Sequence, residues 1–366
     1  MTNKTKNIVV TCVMATFFLG LSVFCWLKPS DDFSNSERRK LAQFPGLSFN
    51  TIMSGDFMEN FENYTLDQIP LRDSLRTLKA AVSLNIFRQS ANNDIYVENG
   101  YASKMEYPLN KQSVDRAGDR FKYVYDKYLK DINTKEYLTV IPDKNYFLAE
   151  ENGYLSIDYN EMITELKEKT DFLQYIDITE NLSLQDFYKT DTHWKQENLI
   201  DVAERIATQM GTDIETVYEL KTLDKDFYGV YYGQSALPLE AEKIKYLTNN
   251  TLENCKVYDY QNSKNIAVYD MEKAYGKDPY EMFLSGSLSL ITIENENAKT
   301  DKELVIFRDS FGSSIAPLFV EGYKKVTLVD IRYIHPDMLE KYIEFNNQDV
   351  LFMYSTSVLN NSETIK

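Results

Sequence analysis

The stretch ELVIFRDSFGSSIAPLFVEGYKKVTLVD, residues 303–330, decides the predicted fold. Its opening, ELVIF, is a short apolar run typical of a buried strand, and KKVTLVD at its end is a second run of this kind. Between them, a polar turn leads into a stretch with the pattern of a helix. A strand, a helix and a second strand in this order predict a β-α-β unit, the repeat of a layered α/β domain.

The same alternation continues on both sides of this stretch. Downstream, residues 336–345 are predicted as a helix and DVLFMYS, residues 349–355, as the last strand. Upstream, a buried strand is predicted over Tyr137–Ile141, a helix over residues 160–169 and a further strand in FLQYIDIT. A helix that begins near Leu199 follows. Strands alternating with helices favour a parallel sheet, so the predicted class is α/β with a mostly parallel sheet.

The remaining regions are less regular. Amphipathic sequence predicts one helix that runs from Gly55 to Leu84 and another over Val114–Asp131. The Tyr-rich residues 211–300 are predicted to form an insertion of short strands beside the sheet. We therefore expect a cytoplasmic tail and membrane anchor over residues 1–28, a polar stalk and helical region over residues 29–110, and the main α/β domain over residues 111–366.

Residues 8–27, IVVTCVMATFFLGLSVFCWL, form an apolar segment without a single charge. A stretch of about 20 apolar residues is long enough to cross a bilayer as a helix. A cleaved signal peptide is the alternative, but no small-x-small cleavage site follows the segment. Phe24 is too bulky for a lipoprotein signal at Cys25. Since long C-terminal domains cross the membrane largely regardless of flanking charge, we expect a single-pass transmembrane anchor with the rest of the chain outside the cytoplasm.

The composition excludes several classes of protein. The 366 residues are 43% hydrophobic, enough for a sizeable core, and carry a formal net charge of −16. This acidity, without any basic stripe, argues against a nucleic-acid partner. No Cys or His cluster has the spacing of a zinc site, and Cys255 is the one cysteine outside the apolar segment. The sequence therefore predicts no metal, no cofactor and no intrachain disulfide.

Ser310 is the first candidate for chemistry, because it lies at the end of a predicted strand and the start of a predicted helix. Free N–H groups in a first helical turn can donate to a developing oxyanion, and the helix dipole favours negative charge there. Gly312 allows the backbone to turn tightly. The alternative is that Asp309 and Ser310 only cap the helix.

The segment YKTDTHWKQE, residues 188–197, supplies a partner for that serine. A serine needs a base to become a nucleophile, and the base needs a carboxylate that fixes its tautomer. His193, one of two histidines in the chain, lies two residues after Asp191. The alternative is a surface loop with a solvated carboxylate and a packed Trp194. The other histidine, His335, has no carboxylate arranged in the same way.

DTHW followed by RDSFG resembles the DHHW family, relatives of the alginate O-acetylation proteins AlgJ and AlgX. Further segments match the same pattern over residues 33–357: FSNSERRKLAQFP, GDFMENFENYTLDQIPLRD, YVENGY, VIPDKN, FLSG and VDIRY. The resemblance implies a circularly permuted SGNH-hydrolase-like α/β/α domain, in which the Asp-x-His pair precedes the serine.

The resemblance also implies roles for individual residues. Ser310 matches the nucleophile, His193 the general base and Asp191 its orienting partner. Proteins of this family work outside the cytoplasm on exopolysaccharide or cell-wall glycans. They often act beside a multipass MBOAT membrane protein that supplies acetyl groups. The expected partners are therefore a glycan acceptor, an acetyl donor delivered by such a protein, and the membrane.

Three positions depart from the family pattern. Thr192 replaces the first histidine of DHHW, Arg308 stands where Lys or Gly is usual, and Ser287 stands where an Asn is expected after the glycine. If that Asn donates to the oxyanion, then the Ser287 hydroxyl substitutes for it or the hole is altered. The Gly286 N–H remains a candidate donor, beside that of Ser310.

Two more side chains are candidates for contact with the substrate. Arg332, near the end of a parallel strand, lies at the edge where α/β sheets place ligands, and it either binds substrate or holds Asp330. Trp194 follows His193 directly. With Arg308, Gly286 and Ser287, they form the predicted set of oxyanion and substrate-binding residues.

The predicted function is a membrane-anchored extracytoplasmic O-acetyltransferase that acts on a glycan through an acetyl-serine. Two alternatives remain open. A glycan O-acetyl esterase uses the same first half-reaction, and the sequence does not distinguish water from a sugar as the acceptor. A scaffold without activity is the other alternative, in which some of the 27 tyrosines stack on sugars.

Overall fold

The structure is a computed structural model that describes residues 2–214 and 217–366. These residues form two compact units. The first comprises the chain up to Asn92 together with Tyr232–Pro238, and the second comprises Asn93–Tyr231 and Leu239–Lys366. The three-part division expected from the sequence stays a prediction.

The first unit is mainly helical. Its N-terminal helix has no buried residue and is long and apolar enough to cross a membrane, as a signal sequence or an anchor. The elements of this unit are α1 (Asn3–Leu27), β1 (Phe33–Ser34), β2 (Arg39–Lys40), α2 (Phe49–Ser54), α3 (Asp56–Gln68) and α4 (Arg72–Asn85).

The single helix predicted from Gly55 to Leu84 is instead two helices, α3 and α4. Pro70 lacks an N–H and disfavours helical backbone at the residue before it, so α3 ends at Gln68. Leu71 then takes a left-handed conformation, with φ of 59°, before α4 begins. The prediction of one continuous helix was therefore wrong at Pro70, a residue that by itself indicates a helix break.

The second unit contains the main sheet. Its helices are α5 (Lys111–Val124), α6 (Lys144–Asn152), α7 (Tyr159–Lys169), α8 (Ile200–Gln209), α9 (Val230–Ser235, which ends in the first unit), α10 (Asn250–Asn254), α11 (Met271–Ala274), α12 (Gly312–Ile315) and α13 (Thr356–Asn360). Its strands are β3 (Ile95–Glu98), β4 (Tyr101–Lys104), β5 (Lys135–Ile141), β6 (Gln174–Tyr175), β7 (Glu219–Phe227), β8 (Glu242–Thr248), β9 (Lys256–Asp259), β10 (Lys264–Ile266), β11 (Leu290–Glu294), β12 (Glu303–Arg308), β13 (Lys325–Val329) and β14 (Asp349–Ser355).

The main sheet has eight strands in the order β10-β9-β11-β13-β12-β14-β5-β6. Strands β13, β12, β14, β5 and β6 pair in parallel, and β11, β9 and β10 add antiparallel pairs at one side. The predicted α/β class with a mostly parallel sheet is confirmed. The predicted insertion is only partly separate, because β7 and β8 form their own hairpin whereas β9, β10 and β11 join the main sheet.

Helices cover both faces of this sheet. Alternate side chains of β12 point to opposite faces, so Ile306 packs in one core with α8 and Phe307 in the other with α5 and α7. A strand buried on both faces reads as a continuous apolar run, which is why ELVIF was recognisable in the sequence. The helix predicted over residues 336–345 is only a 3₁₀ segment, Pro336–Lys341.

The parallel pairing brings the carboxyl ends of β12, β14 and β5 to the same edge of the sheet. Asp309 and Ser310 follow β12, Ser355 ends β14, and Asp143 follows β5. Polar residues at the ends of neighbouring parallel strands lie close together, and this edge is where open α/β sheets place ligands.

Candidate active site

Hydrogen bonds to the Asp309 carboxylate stabilise the turn that carries Ser310. This fully buried carboxylate accepts hydrogen bonds from the Phe311 N–H at 3.0 Å, the Ser355 N–H at 2.8 Å and the Ser355 hydroxyl at 2.6 Å. Asp309 therefore ties the β12–α12 turn to the end of β14. Asp309 therefore does more than cap a helix, because two of its three hydrogen bonds connect the end of β12 to the end of β14.

Ser310, His193 and Asp191 form one hydrogen-bonded chain. His193 Nε2 lies 2.8 Å from Ser310 Oγ, and His193 Nδ1 lies 2.6 Å from Asp191 Oδ1. Ser310 is half-buried, and the His193 side chain keeps 14% of its surface exposed. The hydrogen-bonded series is therefore accessible to solvent at its serine end. The sequence prediction that these three side chains meet agrees with the geometry.

Asp191 is fixed by backbone groups on two sides. Its Oδ1 also accepts the His193 N–H at 3.1 Å, and its Oδ2 accepts the Val230 N–H at 2.9 Å. Gly229 permits this approach, because a Cβ there would come within 2.3 Å of the Asp191 Cα and of the Thr190 carbonyl oxygen. Gly229 is not among the predicted site residues, because a lone glycine in an irregular region carries no recognisable sequence signal.

Tyr280 covers one face of the His193 ring. The two rings are stacked, with centroids 3.9 Å apart and planes 10° apart. The Tyr280 hydroxyl donates to Ser314 Oγ at 2.8 Å, and burial raises the pKa of this phenol well above its usual value. Tyr280 is not among the predicted site residues, since nothing in the sequence distinguishes it from the other tyrosines of the chain.

Trp194 does not line the site. It is fully buried, and its indole N–H lies 2.9 Å from Ser314 Oγ and 3.2 Å from the Phe311 carbonyl oxygen. A side chain without exposed surface cannot contact a substrate in this conformation. The predicted substrate contact is therefore corrected: Trp194 packs beneath the turn of Ser310 and joins it to the loop of His193.

The two predicted arginines form a buried ionic cluster around Asp330. Arg332 binds this carboxylate through Nε at 2.9 Å and through a second guanidinium nitrogen at 2.7 Å. Arg308 is fully buried, lies 3.7 Å from Asp330, and donates to the carbonyl oxygens of Gly286 at 3.4 Å and Leu288 at 3.3 Å. Arg308 is thus a structural cation and not a substrate contact, and Arg332 takes the alternative role of holding Asp330.

The Gly286 N–H, predicted as an oxyanion donor, has a partner within its own loop. That N–H already donates to the Phe283 carbonyl oxygen at 3.1 Å. Leu284, Ser285 and Gly286 all have positive φ, at 53°, 57° and 86°, so three consecutive residues of this loop take the left-handed conformation. Ser287 is exposed at the end of the loop.

The Ser310 backbone N–H, in contrast, makes no hydrogen bond to any residue in the ranges 2–214 and 217–366. It follows β12 directly and opens the turn into α12. This is the position that oxyanion donors occupy at strand-to-helix turns. The rival base His335 lies on an exposed turn, where its Nδ1 accepts the Asp337 N–H at 3.2 Å.

A buried lysine supports the loop of His193. Lys144 Nζ donates to the carbonyl oxygens of Tyr188 at 2.8 Å and Lys189 at 3.1 Å, and lies 5.0 Å from the centre of the Tyr231 ring. Burial lowers the pKa of Lys144 to about 7. The motif VIPDKN contains this residue, but the sequence offered no reason to place its ammonium beneath a distant loop.

Within the described residues, no group of three His, Cys, Asp or Glu side chains is arranged to hold a metal ion. No protein-family model matches the sequence, and no curated protein matches it. Solved structures do match. A DHHW family protein from Eubacterium siraeum aligns at 20% identity and a TM-score of 0.59, over 75% of this chain and 95% of that one.

PatB1 from Bacillus cereus aligns at 18% identity and a TM-score of 0.61, over 74% of this chain and 98% of its own. PatB1 has also been solved with a sulfonyl adduct, and that structure aligns at the same identity with a TM-score of 0.60, over 72% of this chain and 95% of its own. This chain has their fold. The resemblance to the DHHW family is confirmed at the level of the fold.

Proposed function

We propose that this protein is a membrane-anchored O-acetyltransferase that modifies an extracytoplasmic glycan through an acetyl group carried on Ser310. The observation that carries the proposal is the chain of two hydrogen bonds from Asp191 through His193 to Ser310, at 2.6 Å and 2.8 Å. A hydroxyl, an imidazole and a carboxylate in this order are the machinery of acyl transfer on many unrelated folds.

In the first half-reaction, His193 Nε2 takes the proton of Ser310 as Oγ attacks the carbonyl carbon of an acetyl donor. The new Oγ–C bond pushes the carbonyl electrons onto oxygen and forms a tetrahedral oxyanion. Its collapse breaks the bond to the leaving group, which takes the proton from Nε2. Asp191 accepts from Nδ1–H throughout, which fixes the tautomer and stabilises the imidazolium.

In the second half-reaction, a sugar hydroxyl loses its proton to Nε2 and attacks the acetyl carbon. The second tetrahedral species collapses, Ser310 leaves, and Nε2 returns the proton to Oγ. The products are the acetylated sugar and the free serine. The Ser310 N–H serves as an oxyanion donor in both halves, and losing one such donor typically costs roughly 10²–10³ in rate.

The choice of transfer over hydrolysis, and of a glycan acceptor, rests on the resemblance to the DHHW family. The order of the site residues, with Asp191 and His193 before Ser310, supports the circularly permuted SGNH-hydrolase-like arrangement that this resemblance implies. On the same ground, α1 is the membrane anchor, and the acetyl donor arrives through an MBOAT-type membrane protein. No role for nucleic acid is proposed.

Alanine variants of the serine and the histidine test the chemistry. Ser310→Ala and His193→Ala should each abolish release from a chromogenic acetyl ester, and His335→Ala should not. The His335→Ala variant is a matched control, because it removes the only other histidine in the chain. Circular dichroism checks that every variant is folded. Full activity in the His193→Ala variant would overturn the proposal.

A glycan O-acetyl esterase remains the second candidate, because water can replace the sugar in the second half-reaction. An oligosaccharide acceptor added to the same assay separates the two candidates. A transferase yields acetylated oligosaccharide, whereas an esterase yields acetate alone. A scaffold without activity predicts a third result, in which a serine-reactive phosphonate fails to label Ser310 while oligosaccharide still binds.

A further inference from the structure

The segment FPGLSFNTIM, residues 44–53, is an exposed apolar surface in the first unit. It has no charged residue, in a chain where 26% of residues are charged. Five of its ten side chains are large and apolar, and each is between 51% and 77% exposed. These are Phe44, Leu47, Phe49, Ile52 and Met53. The surfaces of soluble monomeric proteins rarely expose so many large apolar side chains in one short segment.

The local conformation of this segment is well defined. Its second half is the helix α2, which Ser48 and Thr51 start with a reciprocal capping box. Gly55 ends the helix in the left-handed conformation, with φ of 88°. The apolar side chains are therefore displayed by a capped helical turn. An ordered turn of this kind can hold the side chains of Phe49 and Met53 exposed at the protein surface without unfolding.

Buried Gln68 fixes where the segment lies relative to the end of α1. Its side-chain amide donates to the carbonyl oxygens of Asp31 at 2.8 Å and Ala42 at 3.0 Å, and accepts the Asp31 N–H at 2.8 Å. Asp31 is four residues past the end of α1, and Ala42 is two residues before Phe44. One side chain thus joins the exit of the apolar helix to the start of the apolar segment.

Aromatic packing continues this connection. Phe44 contacts Tyr64 edge-on, with ring centroids 5.4 Å apart, and Phe61 in the same way at 5.9 Å. With Cys25 and Trp26 of α1, these rings line an apolar groove of about 300 Å³. Trp is a residue type enriched at membrane interfaces, and Phe44, the first residue of the segment, lines this groove together with Trp26.

We propose that residues 44–53 insert into the interfacial layer of the bilayer beside α1, as a second membrane contact of the first unit. The partner is a lipid surface, because the segment continues the exposed apolar surface of α1 and carries no charge for a polar partner to recognise. A short apolar turn of this kind enters the boundary between headgroups and acyl chains. This inference rests on the proposed anchoring by α1.

Site-specific labelling of the full chain in vesicles tests the contact. The three native cysteines, Cys12, Cys25 and Cys255, are first replaced by serine. A fluorophore is then attached at Phe49→Cys, and in a matched control at Asp73→Cys, a charged exposed position of the same unit. Spin-labelled phosphatidylcholine in neutral phosphatidylcholine vesicles should quench the label at position 49 severalfold more than the label at position 73.

The outcomes separate the possible occupants. Equal quenching at the two positions, with fewer than one chain per vesicle, overturns the lipid contact. A label at position 49 that is shielded only at high protein density, or only in native membranes, overturns it in favour of a second copy or a partner protein.

Flotation of the same vesicles after alkaline washing reports on α1. A chain that fails to float overturns both the anchoring and this contact, whereas a chain that floats without quenching overturns the contact alone. Release of a chromogenic acetyl ester by the same sample reports on Ser310 independently.

Discussion

Tyr280 stacks on His193 with ring centroids 3.9 Å apart, while its hydroxyl binds Ser314 at 2.8 Å. Ser314 in turn lies 2.9 Å from the indole nitrogen of Trp194. One face of the imidazole therefore rests on a ring that is itself anchored in the core. Phe311 also contacts His193, with ring centroids 4.9 Å apart and planes tilted by 53°. The rotation of the imidazole is restricted before any substrate arrives.

Replacing the stacked ring should slow the chemical step. Tyr280→Ala removes the surface against which His193 rests, and misplacement of a catalytic group by about 1 Å can cost on the order of 10²-fold in rate. We expect this loss in kcat, with KM nearly unchanged, because Tyr280 is buried beneath the imidazole. Steady-state kinetics with a chromogenic acetyl ester measures both values.

Tyr280→Phe is the matched control for that prediction. It keeps the stacked ring and removes only the hydroxyl that binds Ser314. Its kcat should lie much closer to that of the unchanged protein. An equal loss in the Phe and Ala variants would show that the hydroxyl, and not the stacking, matters.

The three residues of the hydrogen-bonded chain should behave as a unit. In other enzymes with this arrangement, losing the serine or the histidine costs on the order of 10⁶ in kcat, and losing both costs little more. We expect the double variant of Ser310→Ala and His193→Ala to match either single variant. Asp191→Asn should cost roughly 10⁴, because it leaves the wrong tautomer at His193. Additive losses in the double variant would mean that the two side chains act independently.

Gly229→Ala should disable the site without touching any reacting group. A Cβ at position 229 would come within 2.3 Å of the Asp191 Cα, and backbone atoms at that distance have to move. We expect a loss on the order of 10²-fold in kcat through displacement of Asp191. Gly46→Ala is the control, since nothing lies within 4 Å of a Cβ there. Unchanged kinetics in Gly229→Ala would contradict the described approach of the two loops.

Lys144 predicts a particular dependence of stability on pH. Burial lowers its pKa to about 7, well below the value of an unfolded lysine. Between the two values the unfolded chain binds the extra proton, so the free energy of unfolding rises with pH, by up to about 1.4 kcal/mol per pH unit. Below pH 7, Lys144 is protonated in both the folded and the unfolded protein. The free energy of unfolding is then lowered by the full cost of burying the charged ammonium.

Comparison with Lys144→Met isolates this effect from other groups that titrate nearby. Asp143, Asp191, Lys195 and Glu242 act on the ammonium electrostatically, and all four remain in the variant. Chemical denaturation from pH 6 to pH 10 should show a rise in unfolding free energy, relative to the variant, that starts near pH 7. Parallel curves for the two proteins would mean that Lys144 keeps an ordinary pKa.

Several features of this protein are determined by local sequence alone. The strands β12, β13 and β14 read as continuous apolar runs because both faces of the sheet are covered, and polar turns mark their ends. Ser310, at the end of such a run, and His193, beside Asp191, are each visible as short patterns. The apolar segment that forms α1 is likewise a matter of composition.

Other features depend on which distant residues meet, and only the tertiary structure decided them. The short strands β9, β10 and β11 join the main sheet through pairings that no local pattern specifies. Gly286 loses its N–H to Phe283, and Trp194 is buried, because of how the loops pack. Tyr280 and Lys144 reach the site from far along the chain, and a sequence records the identity of such residues but not their neighbours. Side-chain contacts across long chain separations arise from packing, whereas strands and turns arise from residues next to one another.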